Sequence, residues 1–258
     1  NLNRLVWVEG KITAAYGEFF NVLYVQDETG GITVHAPAGD IDATEFTRGT
    51  TVRVVGTIGA YNGDTEIEFF EAEMVQVIAP AAGEVAPTPF STGDAAFEIN
   101  EGWLTQITGT VTSKVGNEAI LVDDGTGPIR AFLDGYNGNF SDIPAGALIT
   151  VKGLIFEDGD GQRIRVRNYK MHPAIADDVT LLEMPGTLAI TKTVETPGNV
   201  YPGDSVTYTI VLSHVSGPAV AVMLTDTLPM EIDFGAWIAQ SGAVEANNVI
   251  TWQGMVET

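Results

Sequence analysis

The segment LVDDGTGPIRAF, residues 121–132, is decisive for the fold because a closely matching segment, YVQDETGGITVH, occupies residues 24–35. The two segments begin 97 residues apart. Each has an apolar run, an Asp, a Thr-Gly turn and an Ile, which is the pattern of two strands joined by a tight turn. The sequence therefore predicts a β-hairpin that occurs twice, with Ile32 and Ile129 pointing into a core.

The similarity extends on both sides of the hairpin. Gly10–Thr13 corresponds to Gly109–Thr112, and residues 48–56 correspond to residues 145–153. The repeats therefore cover residues 1–79 and 97–174, and an Ala/Pro/Gly-rich linker covers 80–96. A period of this length indicates a duplicated domain, since solenoid repeats are shorter.

Within each repeat the apolar residues alternate with period two, and turn residues such as Asn62-Gly63 separate the alternating runs. Five short strands, with glycines where a strand must bend, predict a small closed barrel. We expect most of the aromatic residues in these strands to lie in the barrel cores. They include Trp7, Tyr24, Phe69 and Trp103.

The segments VWVEGKIT (6–13), FFNVLYVQDETGGITVHA (19–36) and EGWLTQITGTVT (101–112) resemble the OB-fold modules of secreted bacterial proteins, which often accompany nucleases and phosphoesterases. The resemblance implies two tandem five-stranded OB-like barrels. It also implies accessory modules, because the catalytic residues of those proteins lie in other domains.

After a second linker, residues 175–186, the pattern changes. Residues 187–258 resemble the Ig-like "conserved repeat" (DUF11-type) of cell-surface proteins through Pro202-Gly203-Asp204, Tyr208 and the run Asp226–Pro229. The Asn-x-Gly that this family places after the Tyr strand is replaced by residues 213–217, SHVSG. The repeat ends one or two strands early, which predicts either a fragment or a strand supplied by another molecule.

The composition excludes several classes of protein. There are 34 acidic and 12 basic residues, giving a net charge of −22, so generic attraction to nucleic acid or anionic membrane is disfavoured. The absence of cysteine excludes disulfides and thiolate chemistry. No apolar run is long enough to predict membrane insertion. Asn1 in place of Met suggests a processed or truncated N-terminus.

No catalytic pattern is found, and we expect a protein that is not an enzyme and needs no cofactor. The three histidines lie in different predicted domains. Asp123 and Asp124 are adjacent in a strand, so their side chains face opposite sides and make a poor acid/base pair. Asp158 and Asp160 offer hard oxygen ligands that calcium accepts, although an acidic turn explains them more simply.

A basic strand is the main binding candidate. Arg163, Arg165 and Arg167 alternate, so they should share one face of the second barrel. Lys170, Arg130 and Lys152 could join them, and Phe132, Tyr136 and Phe156 could stack bases. The first barrel instead places Glu66 and Glu68 at the positions of Arg163 and Arg165.

Two functions remain open. Opposite charges on equivalent faces favour head-to-tail self-association, and hence a non-catalytic structural or adhesive protein of the cell surface, such as a fibre subunit that uses strand exchange. The alternative is a single-stranded nucleic-acid-binding module, accessory to an extracellular nuclease, with the second barrel as the binding domain. In both cases we expect an extracellular or cell-surface location, with self-association, other surface proteins or nucleic acid as partners.

Overall fold

The computed structural model describes residues 2–35, 44–69, 71, 74–133, 136–159, 161–172, 175–195 and 198–257. These residues form an almost entirely β structure, and the chain divides into two compact units between Leu182 and Glu183. The described part of the chain holds no helix with the length and apolarity that a membrane crossing requires.

The first barrel consists of six strands: β1 Leu5–Phe19, β2 Val22–Gln26, β3 Gly31–His35, β4 Thr51–Tyr61, β5 Asp64–Glu68 and β6 Val75–Ala79. The order β1-β2-β3-β5-β4 closes because β4 also pairs with β1, and β6 extends the sheet from β4. Strands β3 and β5 run parallel, whereas the other neighbours run antiparallel. This is the closed five-stranded barrel that the strand pattern predicts, with the OB topology that the resemblance implies.

The second barrel repeats this plan. Its strands are β7 Thr88–Pro89, β8 Leu104–Val115, β9 Ala119–Asp123, β10 Ile129–Phe132, β11 Leu148–Glu157, β12 Gln162–Arg165 and β13 Val179–Glu183. The closed order is β8-β9-β10-β12-β11, with β7 and β13 added at the sides. A one-turn helix, α1 Thr92–Ala95, and a 3-10 turn, Glu98–Asn100, precede β8, and Ala95 of α1 is buried in the core of this barrel.

The duplicated hairpins join β2 to β3 and β9 to β10, as predicted. Ile129 is buried in the core of the second barrel, and Ile32 packs partly buried against that of the first. Glycines make closure possible where strands cross: a Cβ on Gly56 would lie 2.3 Å from the carbonyl oxygen of Glu68, and one on Gly153 would lie 2.4 Å from that of Arg165.

The aromatic residues divide between several environments. Phe69 lies in the core of the first barrel, and Trp103 packs partly buried against the core of the second. Tyr24 is fully buried, but it belongs to an apolar cluster that joins the two barrels. The core position expected for Trp7 is wrong: its side chain is 64% exposed, and Arg53 lies 5.5 Å from its ring centroid on the outer face of the barrel.

The C-terminal unit contains two small antiparallel sheets. One consists of β14 Thr187–Glu195 and β15 Thr207–Ser216, and the other of β16 Val220–Thr227, β17 Val244–Ala246 and β18 Val249–Val256 in the order β16-β18-β17. Lys192 of β14 reaches Asp226 of β16 at 2.7 Å and so links the two sheets. Apolar side chains such as Ile190 and Met223 are mostly exposed.

Candidate functional site

The two barrels dock through an apolar cluster of Ala14, Phe19, Tyr24, Leu104 and Leu154. Their backbones also touch: a Cβ added to Gly31 would lie 2.0 Å from the carbonyl oxygen of Gly102. Only glycine at positions 31 and 102 therefore allows this contact, because any side chain would clash with the opposite backbone.

Hydrogen bonds complete the docking. The Leu104 N–H donates to Gln26 Oε1 at 2.8 Å, and the Thr65 N–H donates to Glu101 Oε1 at 2.7 Å. At the edge, the Gly159 N–H donates to the Asn62 carbonyl at 2.5 Å. Because buried polar groups cost free energy unless they are paired, these bonds favour one relative position of the barrels.

A cleft of about 460 Å³ opens beside this docking surface. The first barrel lines it with the outer face of β2, β3 and β5, and with the β1–β2 and β4–β5 turns. The second barrel closes it with Phe156, Glu157, Asp158 and Arg165. Strands two and three and these two turns are where OB barrels bind oligonucleotides and oligosaccharides.

Both turns present an exposed aromatic side chain. Phe20 is 65% exposed and follows Phe19, which pairs with Val22, so Phe20 is the first residue of a two-residue turn. Tyr61 is 68% exposed and pairs with Asp64 across the turn Asn62-Gly63. Asn62 and Gly63 have φ of 52° and 103°, the signs that a type I′ turn requires, so this predicted turn is confirmed.

Arg165 occupies the junction of the two barrels. Its guanidinium carbon lies 4.1 Å from the ring centroid of Phe156 and 5.3 Å from that of Phe19. Its Nη1 donates to the Tyr24 hydroxyl at 3.4 Å. Burial raises the pKa of Tyr24 to about 12, an effect that the Arg165 charge opposes.

Carboxyl groups lie on the floor of the cleft and below it. Asp64 accepts from the Thr33 hydroxyl at 2.8 Å and from the Glu157 N–H at 3.3 Å, and burial raises its pKa to about 6. Burial, followed by the charge of Glu68, raises the pKa of Glu66 to about 7. Burial also raises the pKa of Glu101 to about 7. These groups therefore hold protons well above the usual carboxyl range.

His35 links the first turn to the carboxyl groups. Asn21 Nδ2 donates to His35 Nε2 at 2.6 Å, and His35 Nδ1 lies 3.9 Å from Glu66 Oε1. With Nε2 accepting, the neutral ring carries its hydrogen on Nδ1, on the side of Glu66.

The structure places the predicted basic residues as follows. Arg163, Arg165 and Arg167 share the outer face, because Ile164 and Val166 between them are buried in the core. Arg163 pairs with Asp158 at 2.5 Å. Arg167 lies 3.4 Å from Asp178 and 3.6 Å from Glu84, Lys152 lies 2.9 Å from Asp178, and Lys170 bonds to Asp142, which raises the pKa of Lys170. Each of these four charges therefore has a carboxylate neighbour.

Of the remaining predicted residues, three lie beside the arginines of β12, namely Arg130, Phe132 and Phe156, whereas the others lie on other elements. Arg130 lies opposite Arg163 in the parallel β10–β12 pair, and Phe132 lies opposite Arg165. Phe156 is buried beneath Arg165, whereas Tyr136 is largely exposed. On the first barrel, Glu66 lines the cleft and Glu68 lies two residues further along β5. Arg165 and Glu66 thus line the same cleft within one chain.

The predicted calcium site consists of Asp158 and Asp160, of which only Asp158 is among the described residues. Asp158 Oδ2 is 2.5 Å from Arg163 Nη1, and Asp160 lies outside the described residues. Where side chains are described, no three His, Asp or Glu residues are grouped so as to hold a metal ion. Asp123 and Asp124 serve turns: Asp124 accepts from the hydroxyls of Thr126 and Thr92, which lower its pKa.

Sequence reasoning missed Phe20, Tyr61, Asp64 and Glu101 as site residues. The one local signal was the pair Phe19-Phe20 directly before a strand, because a hairpin turn rarely places an aromatic residue at its tip. Nothing local indicates that Glu101 reaches Thr65 of the other barrel.

No protein-family model matches the chain, and no curated protein matches it. Solved structures similar to it include a murine DNA-binding protein bound to double-stranded DNA, with 12% identity, a TM-score of 0.35, and coverage of 70% of this chain and 98% of that chain. The p204 HINb domain has 14% identity, a TM-score of 0.31 and the same two coverages. The Ifi202 HINa domain in complex with 20 bp double-stranded DNA has 14% identity, a TM-score of 0.29, and coverage of 64% and 92%. These sequence identities and TM-scores are too low for the ligand of any of these proteins to be assigned to this chain.

Proposed function

We propose that the tandem barrels form a non-catalytic binding module whose ligand site is the cleft between them. The observation that carries this proposal is the position of the cleft, on strands β2 and β3 and between the two turns that OB barrels use for chain-like ligands. Exposed Phe20 and Tyr61 supply stacking surfaces, and the docked second barrel supplies the opposite wall.

Self-association between molecules has less support than the charge pattern first indicated. The Glu66 and Arg165 strands contribute to one cleft in the same chain, so their opposite charges give no separate reason for head-to-tail contacts. A structural, fibre-forming role then depends on the exposed strands of the C-terminal unit, and an extracellular location depends on the resemblance of residues 187–258 to surface repeats.

Nucleic acid binding is the second candidate, and the register of the second barrel favours it. Arg130 and Arg163 are side by side on β10 and β12, and Phe132 adjoins Arg165, which gives the outer face both cations and a ring. The ion pairs of Arg163, Arg167, Lys152 and Lys170 oppose this candidate, because a phosphate would have to compete with carboxylates already in place.

The test is a binding screen on the whole chain, using a neutral glycan array, a fluorescent dT12 oligonucleotide and a lysine-rich peptide. We expect at least one of these probes to bind. The cleft variants Phe20→Ala and Tyr61→Ala should each weaken that binding about tenfold, which is typical of truncating a stacking side chain. Phe97→Ala is the matched control, because Phe97 is similarly exposed, at 60%, and does not line the cleft. If no probe binds, or if the cleft variants behave like the control, the proposed site is wrong.

A nucleic-acid site on the second barrel gives a different result. Affinity for dT12 would fall steeply with salt, and Arg130→Ala with Arg163→Ala would weaken it while Phe20→Ala would not. Absence of dT12 binding at low salt would exclude this second candidate.

A further inference from the structure

Resting on the proposed function, we infer that the cleft takes an uncharged oligosaccharide, with Phe20 and Tyr61 stacking on its sugar rings. The cleft offers two kinds of surface to such a ligand. Exposed aromatic rings suit the C–H face of a pyranose, and amide, carboxyl and guanidinium groups suit its hydroxyls. A volume of about 460 Å³ lies within the usual range of about 300–1,000 Å³ for ligand sites.

The backbone of Phe20 is the first observation behind this inference. Its φ is 61°, in the left-handed region, at a turn position where Gly is preferred. A non-glycine residue there costs about 1–2 kcal/mol. The backbone of Phe20 bridges that of Gly17, but the side chain is 65% exposed, so its burial does not offset that cost. The ring is held out from the fold at the mouth of the cleft, where a ligand would cover it.

Tyr61 lies beside the second turn, as the last strand residue before it. It ends β4 directly before the left-handed Asn62, and it is 68% exposed. Two aromatic residues on neighbouring turns that line one cleft are a binding feature rather than scattered surface residues.

The charges in the cleft argue against a polyanion. Among the described residues that line it, Arg165 is the only Arg or Lys, and its guanidinium is already packed against Phe156 and Phe19. A phosphate chain would face carboxyl groups on β5 and at the end of β11, namely Asp64, Glu66, Glu157 and Asp158.

The same carboxyl groups are poor partners for a polycation. Asp158 is neutralised by Arg163 at 2.5 Å, and Glu157 Oε2 already accepts from Gln162 Nε2 at 3.2 Å. Burial raises the pKa of Glu66 to about 7, so this group is only partly ionised near neutrality, and burial raises the pKa of Asp64 to about 6. The cleft therefore combines carboxyl, amide and guanidinium groups, which match hydroxyls that both donate and accept.

The test is isothermal titration of the whole chain with the best neutral oligosaccharide from the glycan array. We expect the dissociation constant to change less than twofold between low and high salt, because no ion pair forms on binding. Phe20→Ala and Tyr61→Ala should each weaken binding about tenfold, whereas Phe97→Ala should not. Glu66→Gln should change it less than threefold, because the amide oxygen still accepts a hydrogen bond.

The outcomes separate this inference from the proposed function. If dT12 or the lysine-rich peptide binds, is sensitive to Phe20→Ala and weakens steeply with salt, while neutral glycans do not bind, the cleft is a binding site and the oligosaccharide assignment is wrong. If Glu66→Gln strongly weakens the binding of the peptide, the cleft is a cation site. If no probe responds to Phe20→Ala and Tyr61→Ala, the inference and the proposed function both fail.

Discussion

Replacing Gly31 by Ala tests whether the docking of the two barrels depends on direct backbone contact. The added Cβ would lie 2.0 Å from the Gly102 carbonyl oxygen and 2.2 Å from its carbon. An ordinary contact needs about 3.5 Å, so the backbones must separate by more than about 1 Å. Overpacking of this kind costs about 1–3 kcal/mol, and 2 kcal/mol corresponds to about 4–8 °C in Tm for a unit of this size.

Gly30→Ala is the matched control for this substitution. Gly30 is the neighbouring residue, its φ is not in the left-handed region, and an added Cβ would meet no atom within 4 Å. Both variants lose the same chain entropy in the unfolded state, which by itself stabilises the folded protein slightly. The difference between them therefore isolates the contact with Gly102.

Thermal unfolding followed by circular dichroism measures the loss of stability, and amide hydrogen exchange shows whether the loss is located at the junction of the two barrels. Exchange should quicken at Leu104 and Thr65, whose N–H groups donate across the junction to Gln26 and Glu101. If Gly31→Ala unfolds at the temperature of Gly30→Ala and protection at Leu104 is unchanged, the barrels do not dock through these glycines.

Two further predictions concern the junction. The raised pKa values of Asp64 and Glu101 mean that the folded protein binds protons which the unfolded chain releases, so stability should fall as the pH rises from about 4 to about 7. Urea midpoints should fall less steeply with pH across that range for Glu101→Gln than for the unchanged protein, and an equal slope would contradict the raised pKa of Glu101. Arg165→Ala should lower the urea-derived stability by about 2 kcal/mol, because the cation lies over two rings in the junction, whereas Arg53→Ala, beside the exposed Trp7, should cost less than about 1 kcal/mol. Equal losses in these two variants would refute the role given to Arg165.

The proposed function depends on how the first barrel faces the second. Each OB barrel has a ligand-binding face, and in this chain the face of the first barrel opens toward an edge of the second. The docking at Gly31 and Gly102 positions that edge, so variants that loosen the junction should also weaken ligand binding in the cleft.

The sequence by itself determined the barrels, because closure leaves strong local marks. The geometry of a small closed sheet requires alternating strands, tight hairpins and glycines where strands cross, such as Gly56 and Gly153. Because the barrel is duplicated, each of these features, including the Asp-x-Thr-Gly-x-Ile hairpin, occurs twice in the sequence. The alternation also placed Arg163, Arg165 and Arg167 correctly on one outer face.

What those faces contact was decided only by the tertiary structure. Alternation separates inside from outside in a barrel, but it does not reveal which outer residues a second barrel covers. Trp7 therefore lies on an exposed face, while Tyr24 is buried between the barrels. For the same reason Arg165 became a junction residue, and the cleft was assembled from Phe20, Tyr61 and carboxyl groups far apart in the chain. Contacts of this kind depend on how two folded surfaces fit together, and no short segment of sequence records that fit.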